Sequence, residues 1–86
     1  MTERSLAFNS RRNFDMNDLA KIIQLASKYS ASIYLEVGGR QANAKSLLGL
    51  MSLHLNEATE LQIKSEGPDA EAAIEAVAAV LEQSKQ

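Results

Sequence analysis

The chain has 86 residues, 45% of them apolar and 23% charged, with one histidine, no cysteine and a formal net charge of −2. These values fit one small globular domain spanning 1–86, and the lack of cysteine removes disulfides, thiolate metal sites and cysteine nucleophiles while suiting a reducing cytosol. The opening MTERSLAFN is charged at once, so neither a signal peptide nor a membrane span is expected. The basic residues are scattered without interleaved aromatics, which argues against a nucleic-acid partner.

In chain order, Arg4 to Asn9 reads as a short strand, with Leu6 and Phe8 on one face and Ser5 and Ala7 on the other. Asn9 to Asn13 is a polar loop in which Arg11 and Arg12 are solvated charges. A helix is expected from about Met16 to Tyr29, with Leu19, Ile22, Ile23, Ala26 and Tyr29 as its core stripe. Asp15, Asn17 and Asp18 crowd its start, where any of them can accept hydrogen bonds from the free amides of the first turn.

Ser32 to Val37 alternates, with Ile33, Leu35 and Val37 facing in. Gly38-Gly39 then suits a two-residue hairpin turn into a weaker strand from Arg40 to Ala44. Ser46 stands where a short helix begins, followed by five large apolar residues among the seven from Leu47 to Leu53. At about 100° per residue, Leu50 and Leu53 lie on one arc and Leu47, Leu48 and Met51 on another. Only one arc can face a core, and the other is left as an exposed apolar patch of the kind that marks partner surfaces. Periodicity does not say which.

Asn56 to Thr59 is a turn, and Glu60 to Glu66 a strand with Leu61 and Ile63 inward. Gly67-Pro68-Asp69 starts the last helix, with Asp69 as its cap and Ala70, Ala73, Ile74, Val77 and Leu81 as its buried stripe; Gln83 to Gln86 frays. The order β-α-β-β-α-β-α gives an α+β open-faced sandwich, four strands covered on one face by helices.

The residues offer little for catalysis. His54 alone cannot build a histidine metal shell within one chain, and Ser52 lies too close to it in sequence to face it on a helix. Gly38-Gly39 has none of the context of a phosphate loop. Neither a metal nor a cofactor is expected, and no enzyme activity.

The element order, with Ala26-Ser27-Lys28-Tyr29, Leu35-Glu36, Gly39 and above all Asn43-Ala44-Lys45-Ser46-Leu47-Leu48-Gly49-Leu50-Met51-Ser52-Leu53, resembles the HPr family of the bacterial sugar phosphotransferase system. The resemblance runs from about residue 4 to residue 82 and implies a cytoplasmic protein with an antiparallel four-stranded sheet. It also implies two sites. In the family, a histidine in a Gly-x-His-Ala-Arg-Pro-Ala-like motif accepts phosphate from the system's first enzyme. A serine capping the short second helix is phosphorylated by a dedicated kinase to control carbon catabolite repression.

At the first site this chain has Asp15 in the histidine's position, Asn17 in the arginine's and Asp18 in the proline's. Without an imidazole, and with carboxylates that repel an incoming phosphoryl group, the carrier reaction is expected to be lost. An aspartyl phosphate on Asp15 is the alternative, but such sites need Mg²⁺ or a lysine to offset charge, and Asp15 as a helix cap explains the residue more simply. His54 follows the wrong helix to replace the lost histidine.

The second site is present as Ser46. A plain cap is the bland reading, and the surrounding family word favours a kinase-accessible serine, with Lys45 placed to pair with the phosphate. The resemblance turns Leu50 and Leu53 inward, with Gly49 allowing close approach to the sheet, and leaves Leu47, Leu48 and Met51 outside. The implied protein is an HPr-like paralogue, similar to catabolite-repression homologues that lack the active histidine. Its implied partners are the HPr serine kinase/phosphorylase and a LacI-type catabolite regulator, docking on Gln24, Ser27, Leu47, Leu48, Met51 and Ser52. A degenerate paralogue with neither site in use is the remaining reading.

Overall fold

The computed structural model describes residues 2–7, 14–55 and 60–83. Its elements are β1 (Thr2–Ala7), α1 (Met16–Ala26), β2 (Ser32–Val37), β3 (Arg40–Asn43), α2 (Leu47–Ser52), β4 (Glu60–Glu66) and α3 (Ala70–Gln83), the order expected. The strands form one antiparallel sheet in the order β1-β4-β2-β3.

Register puts the apolar positions on one face: Leu6 opposes Leu61, and Leu35 lies between Ile63 on one side and Ala42 on the other. All five are buried. Against them pack Leu19, Ile22 and Ala26 of α1, Leu50 of α2, and Ala73, Ile74, Val77 and Leu81 of α3. The alanines of α3 keep its backbone close to the sheet, and it meets β4, β1 and β2. The opposite face is polar, with Lys64 bridging to Glu36 at 2.7 Å. Among the described residues no helix is long and apolar enough to cross a membrane.

Three boundaries differ from expectation, the smallest difference being at β3, which ends at Asn43 rather than Ala44. The first strand begins at Thr2, two residues before Arg4, because β4 offers a ladder to that point: Thr2 opposes Ser65 and Glu3 opposes Lys64. Arg4 therefore sits on the helix-covered side and bonds Glu75 of α3. Phe8, Asn9 and the loop with Arg11 and Arg12 lie outside the described residues, as do the Asn56 to Thr59 turn and residues 84–86.

The first helix ends at Ala26 rather than Tyr29. The amides of Lys28 and Tyr29 reach back three residues, to Leu25 and Ala26 at 3.1 and 3.2 Å, which tightens the chain into a turn while Tyr29 still packs on the core. The hairpin forms as expected, with Gly38 and Gly39 at φ +57 and +85.

Asp69 begins α3 through its carbonyl, which accepts the Ala73 amide at 3.0 Å. Its carboxylate reaches beyond its own helix: it accepts the amides of Ser30 and Ala31, at 2.9 and 2.8 Å, across 39 and 38 residues of chain. Beside it Gly67 (φ +144) presses on Ala31, so that a Cβ there would lie 2.8 Å from the Ala31 Cα. The exit of α1 and the start of α3 are thereby locked together.

Both contacts can be tested. Gly67→Ala forces an unfavourable φ and a backbone clash, and should lower unfolding free energy by about 2–3 kcal/mol, read from urea midpoints. The bond from the Ser30 amide, with help from Ala31 and the charge of Lys45, holds the Asp69 carboxyl below its ordinary 3.8. A carboxyl depressed on folding stabilises the fold above its unfolded pKa, and that contribution fades as pH falls through the folded pKa. Asp69→Ala should therefore be less stable than wild type at neutral pH, with the gap narrowing below pH 3.8 in urea unfolding across a pH series.

Candidate functional site

The chain leaves β3 through a turn built by Asn43, whose Oδ1 accepts the Lys45 amide at 2.8 Å and whose carbonyl accepts the Ser46 amide at 3.0 Å. This delivers Ser46 in an extended conformation (φ −116, ψ 119) at the cap of α2. Its Oγ accepts the Gly49 amide at 3.2 Å and its carbonyl accepts the Leu50 amide at 3.0 Å. A cap uses only the hydroxyl's lone pair, so the O–H bond remains available for substitution, and α2 has no acidic residue in its first turn to repel an added anion.

Gly49 lies close to the sheet: a Cβ there would sit 3.2 Å from the Ala42 Cβ and 3.4 Å from the Ser46 Oγ. That approach buries Leu50 and Leu53 and turns the other arc outward. Leu48 is 79% exposed, Met51 47% and Leu47 38%. Ser52 is exposed too, but its Oγ donates to the Gly49 carbonyl at 2.7 Å and its own carbonyl accepts from Arg40 at 3.0 Å. Gln24 and Ser27 are exposed on the C-terminal half of α1, where Ser27 caps the helix end. Lys45 is not directed at Ser46: its Nζ donates to the Tyr29 carbonyl at 3.0 Å.

At the start of α1, Asp15 is the cap. Its Oδ1 accepts the Asp18 amide at 3.0 Å, and Asp18 Oδ2 accepts the Asp15 amide at 3.1 Å, a reciprocal capping box. Phe14 and Leu19, both buried, occupy the positions of the hydrophobic staple that accompanies such a box. Phe14 was not among the expected core residues, although its spacing to Leu19 around a capping aspartate is a readable signal. Among the described residues, no group of three histidine, aspartate or glutamate side chains is placed to hold a metal beside Asp15.

A cleft of about 470 Å³ opens between the start of α1 and the end of α2. Its apolar lining comes from Phe14, Leu19, Leu50 and Leu55, and Asp15, Met16, Met51 and His54 complete it. His54, at φ +55 in the left-handed region just past α2, thus shares a cleft with Asp15, although sequence distance had set the two apart. Met16, 55% exposed, joins Met51 there and enlarges the apolar surface beyond the residues legible in the second helix. The cleft includes neither Gln24 nor Ser27, and of the expected docking residues on α2 only Met51 lines it.

The chain as a whole is similar to known proteins. The family described as the PTS HPr component phosphorylation site matches residues 2–83. The HPr-like protein Crh of Halalkalibacterium halodurans is 30% identical over 83 residues, covering 96% of this chain and 99% of that protein. The crystal structure of HPr-C-His from Thermoanaerobacter tengcongensis superposes with a TM-score of 0.87 at 31% identity, over 98% of this chain and 94% of that one. That of Crh, described as a Bacillus subtilis catabolite repression protein with a swapped-domain dimer, gives 0.76 at 28% identity, over 100% and 99%. With the family match spanning residues 2–83 and the four-stranded sheet and three helices superposing over nearly the whole length, this chain belongs to the HPr family of the phosphotransferase system.

Proposed function

We propose that this protein is a cytoplasmic regulatory member of its family, inactive as a histidine phosphocarrier and controlled by phosphorylation of Ser46. The observation that carries the reading is the contrast between the two helix starts. At the start of α1, Asp15 stands in place of the family's histidine and is spent in a capping box with Asp18. At the start of α2, Ser46 keeps a cap geometry in which a phosphate would meet the Gly49 amide that the hydroxyl meets now.

Phosphorylation would add a charge of about −2 beside Leu47, Leu48 and Met51, changing what that patch binds. The kinase implied is the HPr serine kinase/phosphorylase, and the phosphorylated form would dock a LacI-type regulator of carbon metabolism through this patch, Ser52, and Gln24 and Ser27 of α1. The likeness to proteins named Crh, one of them described as a catabolite repression protein, supports this placement. The protein acts here as phosphoacceptor and binding partner rather than as an enzyme. Asn17 in the place of the family's arginine means that the regulator contact has to draw on other residues.

Incubation with the serine kinase and ATP should add one phosphate by intact mass, and none to Ser46→Ala. An equal gain on that variant, or no gain on wild type, would sink the reading. With phosphoenolpyruvate and the system's first enzyme, no label should transfer. Label that disappears in Asp15→Ala would instead favour a carrier working through an aspartyl phosphate.

A further inference from the structure

Lys45 connects the Ser46 cap to the turn that leaves α1. Its Nζ donates to the Tyr29 carbonyl at 3.0 Å. Tyr29 sits in the turn that leaves α1, and the next two amides of that turn, Ser30 and Ala31, are held by Asp69 at 2.9 and 2.8 Å. One ammonium group therefore ties the residue preceding the Ser46 cap to the lock between α1 and α3. Its field also reaches the Asp69 carboxylate, where it adds to the effect of the Ser30 and Ala31 amides.

The acceptor that Lys45 now holds is a neutral carbonyl. A phosphate on the adjacent residue would be a dianion within reach of the same flexible side chain, and an ammonium binds a charged oxygen more strongly than a neutral one. Resting on the reading of Ser46 as a phosphoacceptor, we propose that phosphorylation there draws Lys45 away from the Tyr29 carbonyl and loosens the Tyr29–Ala31 turn, so that Lys45 carries the modification to the junction of α1 and α3. Lys45 is a positioning residue in this scheme, and its own bond is the part that has two arrangements. The same turn begins at Ser27, whose amide bonds the Ile23 carbonyl at 2.9 Å, so a change at Tyr29 also bears on that end of the docking face.

The test installs phosphoserine at position 46 during translation, without a kinase, so that its result is independent of whether any kinase recognises the chain. Carbon-13 NMR follows the Asp69 carboxyl titration, and amide hydrogen exchange follows Ser30 and Ala31. The phosphorylated protein should titrate Asp69 at higher pH than the unmodified protein and exchange both amides several-fold faster. Unmodified Lys45→Met, or Lys45→Gln if that variant folds poorly, should reproduce both changes, and phosphoserine added to it should produce no further shift.

Unchanged exchange at Ser30 and Ala31 in the phosphorylated protein would overturn the proposal. So would an Asp69 shift of equal size in the Lys45→Met background, because the phosphate charge would then be acting directly through space. A kinase that ignores the chain while the installed phosphate moves Lys45 would remove the reading of Ser46 and leave the lever standing.

Discussion

A sheet that is covered on only one face governs this molecule. The large aliphatic side chains of the four strands must meet helices on the same side, and the sheet is only four strands wide. The longest helix, α3, spreads over β1, β4 and β2, and α1 packs beside it. What remains is the area above β3, a strand of four residues whose buried side chain is Ala42. A helix placed there has a small footing. Six-residue α2 fits because Gly49 lets it settle against Ala42, and it buries Leu50 while its other apolar arc stays in water. The exposed leucines follow from the shortage of sheet beneath them.

The two helix starts show how the same local physics serves different ends. Asp15 and Ser46 both satisfy free amides, and both are residues that helix caps favour. The carboxylate does this with a fixed charge already in place. The hydroxyl does it while keeping a bond that chemistry can change. The first start is therefore a stable helix entry with its charge already committed, and the second is the more adaptable of the two.

Much of the fold was legible because it is local. The alternation in Ser32 to Val37, the paired glycines and the helical stripes of α1 and α3 each act over a few residues, and the structure reproduces them. The direction of the Ser46 helix was legible only through family resemblance, since its two apolar arcs are nearly equal in composition. Long-range polar contacts were not legible. Asp69 looked like a simple cap because nothing near it in sequence announces two amides almost 40 residues away. Lys45 looked like a partner for Ser46 because the Tyr29 carbonyl enters its surroundings only after the chain has folded. His54 and Asp15 meet in one cleft for the same reason.

The cleft between α1 and α2 is lined in part by the thioethers of Met16 and Met51, both about half exposed. A thioether accepts one oxygen atom to become a sulfoxide, which is polar and chiral, and enzymes can reverse the change. The apolar character of this cleft is thus a property of reduced sulfur as much as of packing. Under oxidising conditions the same backbone would present a different surface, with no change in any residue of the sequence.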